Sequence, residues 1–491
     1  MKVYQVSREF YPFANAGGLK EVVTGIALAL NKVGIESSVF IPRYGFIQLS
    51  NLTFVKKIFI TLNKVVYETD IFTVEYNGVH VYFIDNELVA SKNDVYTYTE
   101  LDEKKDIRNK KGEGFLDTEE INILFQLSVL EFITNNLPPP NVLSLHDGHT
   151  GLIPGLIKSN NRYSNFFSNS KIFFTIHNAG FAYHQRLSAK KIVGMGIIDD
   201  EILKTGCFED ILDPICLAIS YAIPLTVSPY YSEEILQLQH EESSGGFGLF
   251  CQKNSISIHG ITNGVELNHY KSIGITSPPS DIIKIEMRNS LSNIILNTKD
   301  IQKWGNMDFS LKRPLYLFQN RITEQKGIQV LIDAFKDYFN SGGDSLVLVM
   351  GAGERRFENE LIAFTEKYPG KICYLQGYNE TLAKKAFIAS NFFILTSLWE
   401  PCGLTDFEAQ LGGSIPIVNN TGGLKKVIHG RNGFIYNGLK DLVNRLYLCD
   451  EMYYVNPSLL IEMGKFAYNH IAENYTWDKV VEKQYLPIFR S

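Results

Sequence analysis

Two successive strand-to-helix junctions limit what this chain can become. Residues 391–397 form a continuous apolar run, Asn-Phe-Phe-Ile-Leu-Thr-Ser, of the kind seen in a parallel strand buried on both faces. The run ends at Trp399-Glu400-Pro401-Cys402-Gly403-Leu404, and helical spacing follows to Leu411. A second apolar run, 415–418, leads into Thr421-Gly422-Gly423-Leu424 at another apparent helix start. Strand ends that turn through glycine into helices are where doubly wound sheets bind ligands. Glu400 therefore stands at the carboxyl end of a strand, as the first candidate for an active-site residue.

The rest of the chain repeats this grammar. Residues 2–7 read as a strand, 9–19 as a loop containing Gly17-Gly18, and 20–33 as a helix. A glycine turn that opens a helix presents backbone N–H groups to an anion, although two adjacent glycines also suit a plain turn. Strands are expected at 39–41, 64–72 and 79–84, an exposed charged loop at 100–114, and a helix over 118–137 closed by three prolines. Strands at 142–145, 171–176 and 225–227 end in His146-Asp147-Gly148-His149, in His177-Asn178 and in Ser228-Pro229. That convergence on one sheet edge makes Asp147, His177 and Asn178 candidates. Gly245-Gly246-Phe247-Gly248 reads as a loop, either flexible or ligand-approaching.

At 491 residues the chain is too long for one core, and two or three domains are expected. A shift toward Ser and Pro near 272–280 precedes a second βαβ series: strands at 315–318, 346–350 and 372–375, and helices at 327–339 and 381–389. Alternation in both halves predicts two doubly wound domains, and helices close the chain at 459–475 and 478–485. In the second half, Arg321 and Lys326 flank the turn after the first strand. A lysine at a helix start opposes the local dipole, and this makes sense if a bound anion bridges the two; a diphosphate fits the arginine fork and the lysine point charge.

Composition excludes other classes. The net charge of −6 leaves no basic footprint for nucleic acid, and no apolar run approaches the roughly 18 residues of a membrane helix. The six cysteines form no CxxC pair and no metal-like spacing, as expected of free thiols in a reducing compartment. No Asp-rich metal pattern occurs. A cytoplasmic protein with no metal or other cofactor, no nucleic-acid partner and no membrane partner is expected.

The motifs Ser7-x-Glu9, Gly17-Gly-Leu, Pro42-Arg-Tyr-Gly45, His146-Asp147 with His149, Thr175-Ile-His-Asn178, Arg321 with Gln325-Lys326-Gly327, Gly377-Tyr378, Glu400-Pro-Cys-Gly-Leu404 and Thr421-Gly-Gly-Leu424 run nearly end to end. On them the chain resembles the bacterial glycogen and starch synthases, retaining glycosyltransferases of the GT-B fold. The resemblance implies two facing Rossmann-like α/β domains with a cleft between them. It places them at 1–257 and 258–475, with a C-terminal helix at 476–491 crossing back to the first. It further implies transfer of glucose from ADP-glucose to the non-reducing end of an α-1,4-glucan. His177, Glu400, Asp147 and Asn178 match the family's catalytic positions. Gly17, Gly18, Arg321, Lys326, Tyr378, Cys402, Gly403, Leu404, Thr421, Gly422 and Gly423 match its donor-binding positions.

The chain departs from the family pattern at several points. Asn15 stands where relatives carry the lysine of K-x-G-G-L, Glu21 replaces an aspartate, and Gly148 replaces the tryptophan of H-D-W-H. Leu398 and Trp399 replace an arginine and a phenylalanine. These changes leave open a catalytically weak regulator that binds glucan or nucleotide sugar, and a GT-B transferase with another donor or acceptor.

Overall fold

The computed structural model describes residues 1–267, 279–297, 302–305, 307, 309, 313–377 and 379–491. They divide into two compact units, Met1–Gly264 with Trp477–Ser491, and Val265–Thr476. Most of the Ser- and Pro-rich break near 272–280 lies outside the described residues, as does Tyr378.

The first unit is built on a nine-stranded sheet. Its strands are β1 (Lys2–Val6), β2 (Glu36–Pro42), β3 (Thr53–Leu62), β4 (Val65–Tyr76), β5 (Val79–Asp85), β6 (Val142–His146) and β7 (Lys171–Ile176). Three short strands, β8 (Leu187–Ser188), β9 (Cys207–Phe208) and β10 (Ile211–Leu212), form a separate sheet. β11 (Ile223–Thr226) and β12 (His259–Gly260) complete the large one, whose order is β12-β11-β7-β6-β1-β2-β5-β4-β3. All pairings are parallel except β3 with β4 and β4 with β5. The chain enters at β1 and later returns to its other side at β6. The loops after these two strands therefore adjoin, at the topological switch point where such sheets bind ligands.

The C-terminal segment belongs to this unit. Trp477, Val480, Val481, Tyr485, Leu486 and Phe489 are buried with Val3, Val22, Ile26 and Leu30, covering β1 and the helix Leu19–Lys32. Burying aliphatic and aromatic side chains of this size contributes roughly 1.5–3 kcal/mol each, enough to hold the returning segment.

The second unit carries a seven-stranded sheet of β13 (Gln302–Trp304), β14 (Leu315–Gln319), β15 (Leu346–Gly351), β16 (Ile372–Gln376), β17 (Phe392–Leu395), β18 (Ile415–Asn419) and β19 (Phe434–Tyr436). The order is β13-β16-β15-β14-β17-β18-β19, parallel except for β13. Alternate residues of each central strand feed two separate cores. Tyr316, Phe318, Val347 and Val349 lie in one, and Leu315, Leu317, Leu346 and Leu348 in the other. Two apolar faces explain why these strands read as continuous hydrophobic runs. The switch point falls between β14 and β17, so the Arg321–Lys326 turn adjoins the Glu400 turn.

Three stretches differ from expectation. The loop read at Gly245–Gly248 ends at Gly246, because Phe247–Lys253 is helical. The charged segment 100–114 is not all loop: Glu100–Lys105 is helical, closed by a capping box in which Thr99 and Asp102 bond each other's backbone N–H. The strand Thr53–Leu62 was not anticipated, because Phe54, Val55 and Phe59 are exposed on a sheet edge and blur the alternation.

Candidate active site

In the second unit, β17 ends in a turn that aims Glu400 inward. Its Oε2 accepts from Lys326 Nζ at 2.6 Å and from Ser397 Oγ at 2.9 Å, while Oε1 accepts nothing from the described residues. Burial, the largest single influence, pushes the Glu400 carboxyl up, but the Lys326 charge and hydrogen bond, the Ser397 hydrogen bond and the Lys426 charge together outweigh it and the net shift is downward, so Glu400 is an anion at neutral pH. The Thr421–Gly423 turn packs directly on this loop. Gly422 has φ +42, a Cβ there would lie 2.1 Å from Glu400 O, and Gly423 N donates to that same oxygen at 2.8 Å. Only glycine fits this approach.

The Cys402–Leu404 backbone is organised by a residue the sequence reading passed over. Lys426 is buried, and its Nζ donates to the carbonyls of Cys402 (2.5 Å), Gly403 (2.7 Å) and Gly423 (3.2 Å) and to Asp406 Oδ1 (2.8 Å). Burial is the largest single influence and works against its charge, but the facing Asp406 carboxylate, with Cys402 and Glu400 adding to it, more than offsets this and raises the lysine above its usual range. In a trans peptide the N–H points opposite to the C=O. Carbonyls gathered on Lys426 thus turn the N–H groups of Gly403 and Leu404 the other way, and neither has an acceptor among the described residues.

The two cations of the Arg321–Lys326 turn are not equivalent. Lys326 is buried and committed to Glu400, whereas Arg321 is exposed and its guanidinium, among the described residues, hydrogen-bonds the neutral Gln325 Oε1 alone, at 3.3 Å. Leu398 borders a cavity of about 220 Å³ with Val330, Thr396, Asn419, Tyr436 and Leu439.

In the first unit the groups converge after β6 and β7. Asp147 has φ +58, which costs a non-glycine residue of order 1–3 kcal/mol. The conformation is held by Asp147 N donating to Thr175 O at 3.0 Å and by Thr150 N and Oγ1 donating to Asp147 O. It aims Oδ1 at the His177 N–H, 2.8 Å away. Burial pushes the Asp147 carboxyl up to about 7 against the pull of that N–H. His177 Nε2 meets His146 Nδ1 at 3.0 Å, and burial drives His177 down to about 3 and His146 well below its usual range, so both rings are neutral at pH 7. Asn178 is buried and its Oδ1 accepts from Gly180 N at 2.8 Å.

Glu9 and Tyr96 join this group from the loop after β1 and from the loop after β5. The Tyr96 hydroxyl donates to Glu9 Oε1 at 2.5 Å, and its ring stacks on His149, whose buried Nδ1 has no partner among the described residues. Glu9 Oε2 accepts from Ala16 N (3.0 Å) and Gly17 N (2.6 Å). The glycine turn does hold an anion, and that anion is the protein's own carboxylate. The motif Ser7-x-Glu9 was a signal for Glu9; nothing in the sequence marked Tyr96.

The loop after His177 is clipped by Asp213. Asp213 Oδ2 lies 2.6 Å from His184 Nδ1 and accepts from Arg186 Nε at 2.9 Å, while its Oδ1 accepts from Ile215 N and Cys216 N. His184, Asp213 and Cys216 are close enough to suggest a metal cluster. However, the other His184 nitrogen bonds Ala179 O, so the trio is fully used as a structural clip. The clip also accounts for Gly148, since a Cβ there would lie 2.5 Å from His184 O and 2.6 Å from Tyr183 O.

Residues 2–249 match the family model described as "Starch synthase catalytic domain", and residues 303–446 match "Glycosyl transferases group 1". The chain belongs to the starch synthase family. As a member it is a glycosyltransferase, with the two Rossmann-like units of the GT-B fold. It is similar to the glycogen synthase of Clostridium kluyveri, 29% identical over 453 residues, covering 89% of this chain and 88% of that enzyme. The glycogen synthase of Clostridium acetobutylicum is 28% identical over 98% of this chain and 95% of its own. Among solved structures, the catalytic domain of starch synthase IV from Arabidopsis thaliana, bound to ADP and acarbose, superposes with a TM-score of 0.79 at 21% identity, covering 99% of this chain and 98% of that one. Sucrose-phosphate synthase from Thermosynechococcus elongatus follows the same fold, with a TM-score of 0.60 at 14% identity over 100% of this chain and 98% of its own. Asn15, at the head of the glycine turn, is exposed and uncharged. No helix among the described residues is long and apolar enough to cross a membrane.

Proposed function

We propose that this starch synthase family member transfers glucose from ADP-glucose to the non-reducing end of an α-1,4-glucan with retained configuration. The observation that carries the reading is Glu400: buried, ionised, fixed through Oε2, and left with Oε1 to accept hydroxyls of the transferred sugar. The free N–H groups of Gly403 and Leu404 supply donors on the same loop. Arg321, with Lys326 beside it, meets the charge of the departing diphosphate, the task for which preorganised cations are most effective. Thr421 completes the donor contacts. On the acceptor side, Asp147, His177 and Asn178 orient the attacking hydroxyl, whose proton leaves on the diphosphate as the anomeric bond breaks. No metal or other cofactor enters this scheme. Six free cysteines support a reducing, cytoplasmic setting.

The names of the Clostridium relatives and the ADP and acarbose held by the plant domain support this substrate pair. The test is release of ADP with donor and acceptor varied independently. ADP release from ADP-glucose that requires glycogen or maltooligosaccharide is expected; none from ADP-, UDP- or GDP-glucose defeats the reading, and a preference for UDP- or GDP-glucose revises the donor.

A second reading follows from the exposed, uncharged Asn15 and the commitment of Lys326 to Glu400, which leave Arg321 as the open cation of its turn: a glucan- or nucleotide-sugar-binding regulator with weak turnover. ADP binding at micromolar concentration without acceptor-dependent release would favour it.

A further inference from the structure

Arg8 sits between the two named positions of the Ser7-x-Glu9 motif and is 2% exposed. Its Nε donates to Tyr44 OH (3.0 Å), Nη1 to Asn122 Oδ1 (2.9 Å) and Nη2 to Val95 O (2.9 Å), all neutral acceptors. Among the described residues it makes no ion pair within salt-bridge distance. A buried cation without a direct partner is costly, so what lies around it matters. The guanidinium carbon lies 5.6 Å from the Tyr96 ring centroid, within cation–π range. The Tyr96 hydroxyl donates to Glu9, and the Glu9 carboxylate grips the N–H groups of Ala16 and Gly17. Burial, with Glu9 adding to it, keeps the Tyr96 phenol protonated and therefore a donor. A cation over its ring strengthens that donor and offsets the Glu9 charge.

The turn at the end of this chain of contacts is the one that begins with Asn15, where the family carries a lysine. We propose that Arg8 is the positioning residue of the glycine turn and takes over, from inside the unit, the charge that a lysine at position 15 supplies from the loop. Through Tyr96 and Glu9 it fixes Ala16 and Gly17, and with them the start of the helix Leu19–Lys32. The effect on catalysis rests on the glucosyltransferase reading above; the effect on the turn does not.

The test uses the full chain and the variants Arg8→Met, Arg8→Lys, Tyr96→Phe and Arg8→Met with Asn15→Lys. In the free protein, amide exchange over residues 13–19 should speed about tenfold in Arg8→Met, equivalent to about 1.4 kcal/mol, and comparably in Tyr96→Phe. The helix Thr118–Asn136 serves as the control for folding, and Arg8→Lys should stay near the parent. Unchanged exchange at 13–19 in both Arg8→Met and Tyr96→Phe overturns the proposal, whatever the activity of the protein. If Arg8→Met unfolds, Tyr96→Phe alone decides. With ADP-glucose as donor, Arg8→Met should raise the donor KM about tenfold with a smaller change in kcat, and Asn15→Lys should recover most of it. A loss that Asn15→Lys leaves untouched would mean that Arg8 only packs the core, and would overturn the proposal. Absence of ADP release from the parent would defeat the glucosyltransferase reading and leave the exchange result to decide this one.

Discussion

Lys326 Nζ and Glu400 Oε2 lie 2.6 Å apart, with side-chain exposures of 10% and 11%. One charge comes from the turn after β14 and the other from the turn after β17, the two strands that flank the switch point. The pair thus ties the turn after β17 to the turn after β14 at the sheet edge.

Breaking this pair from one side leaves a buried charge alone. Glu400→Gln or Lys326→Met should each lower unfolding stability by about 3–5 kcal/mol, and the double variant should cost less than the sum. Urea unfolding of the four proteins gives the cycle. Additive losses would mean that the two side chains do not depend on each other.

Lys426 should matter for the donor without touching it. Lys426→Met strands Asp406 and three carbonyls inside the unit and frees the Cys402–Leu404 loop to rotate its N–H groups away. A rise in the donor KM of at least about tenfold is expected, with stability lower by about 3 kcal/mol or more. A variant as stable as the parent, with unchanged donor KM, would remove Lys426 from the scheme.

Restoring the family residue at position 148 should do harm here. In Gly148→Trp the new side chain meets the Tyr183 and His184 carbonyls at once, and the Asp213 clip holds that backbone in place. Overpacking of this kind costs about 1–3 kcal/mol and would displace the loop after His177. Thermal unfolding together with ADP release is the measurement. An undiminished melting temperature would show that the loop yields freely.

The sheet framework was legible because both faces of its central strands are apolar, as at Leu315–Gln319 and Phe392–Leu395. The strand ends were legible too, since Glu400 and His177 stand just past such runs. What escaped depends on long-range pairing. Lys426 is ordinary in sequence and becomes the organiser of the donor loop only when Asp406, twenty positions earlier, faces it. Arg8 and Tyr96 meet across 88 positions of chain. The helix Glu100–Lys105 hid in a charged stretch because its stability lies in a capping box rather than in an apolar face.

The acid–base character of the first unit gives the last prediction. His177 falls from its ordinary 6.5 to about 3, so the unfolded chain takes up a proton between those values that the folded one refuses, and stability falls as pH drops through that window. Asp147 rises from 3.8 to about 7, so the folded chain keeps a proton that the unfolded one loses, and stability falls as pH climbs from 3.8 to 7. Taken alone these two shifts nearly cancel. Asp406, raised by burial to about 6, adds to the Asp147 side, but His146 and His149, both driven well below their usual range by burial, outweigh it and set the sign: stability should decline from pH 6.5 toward 4. Turnover follows a different rule. Ionised Asp147 accepts from the His177 N–H and can take a hydrogen bond from the acceptor hydroxyl, so kcat/KM should rise through pH 7 with one apparent pKa. Asp147→Asn should flatten that rise and lower the plateau by about tenfold or more, the order expected when one charged hydrogen bond to the acceptor hydroxyl, worth about 1.5–3 kcal/mol, is lost. A profile that falls between pH 6 and 8, or one that survives in Asp147→Asn, would assign the titration to another group and leave Asp147 as a shaper of the His177 loop alone.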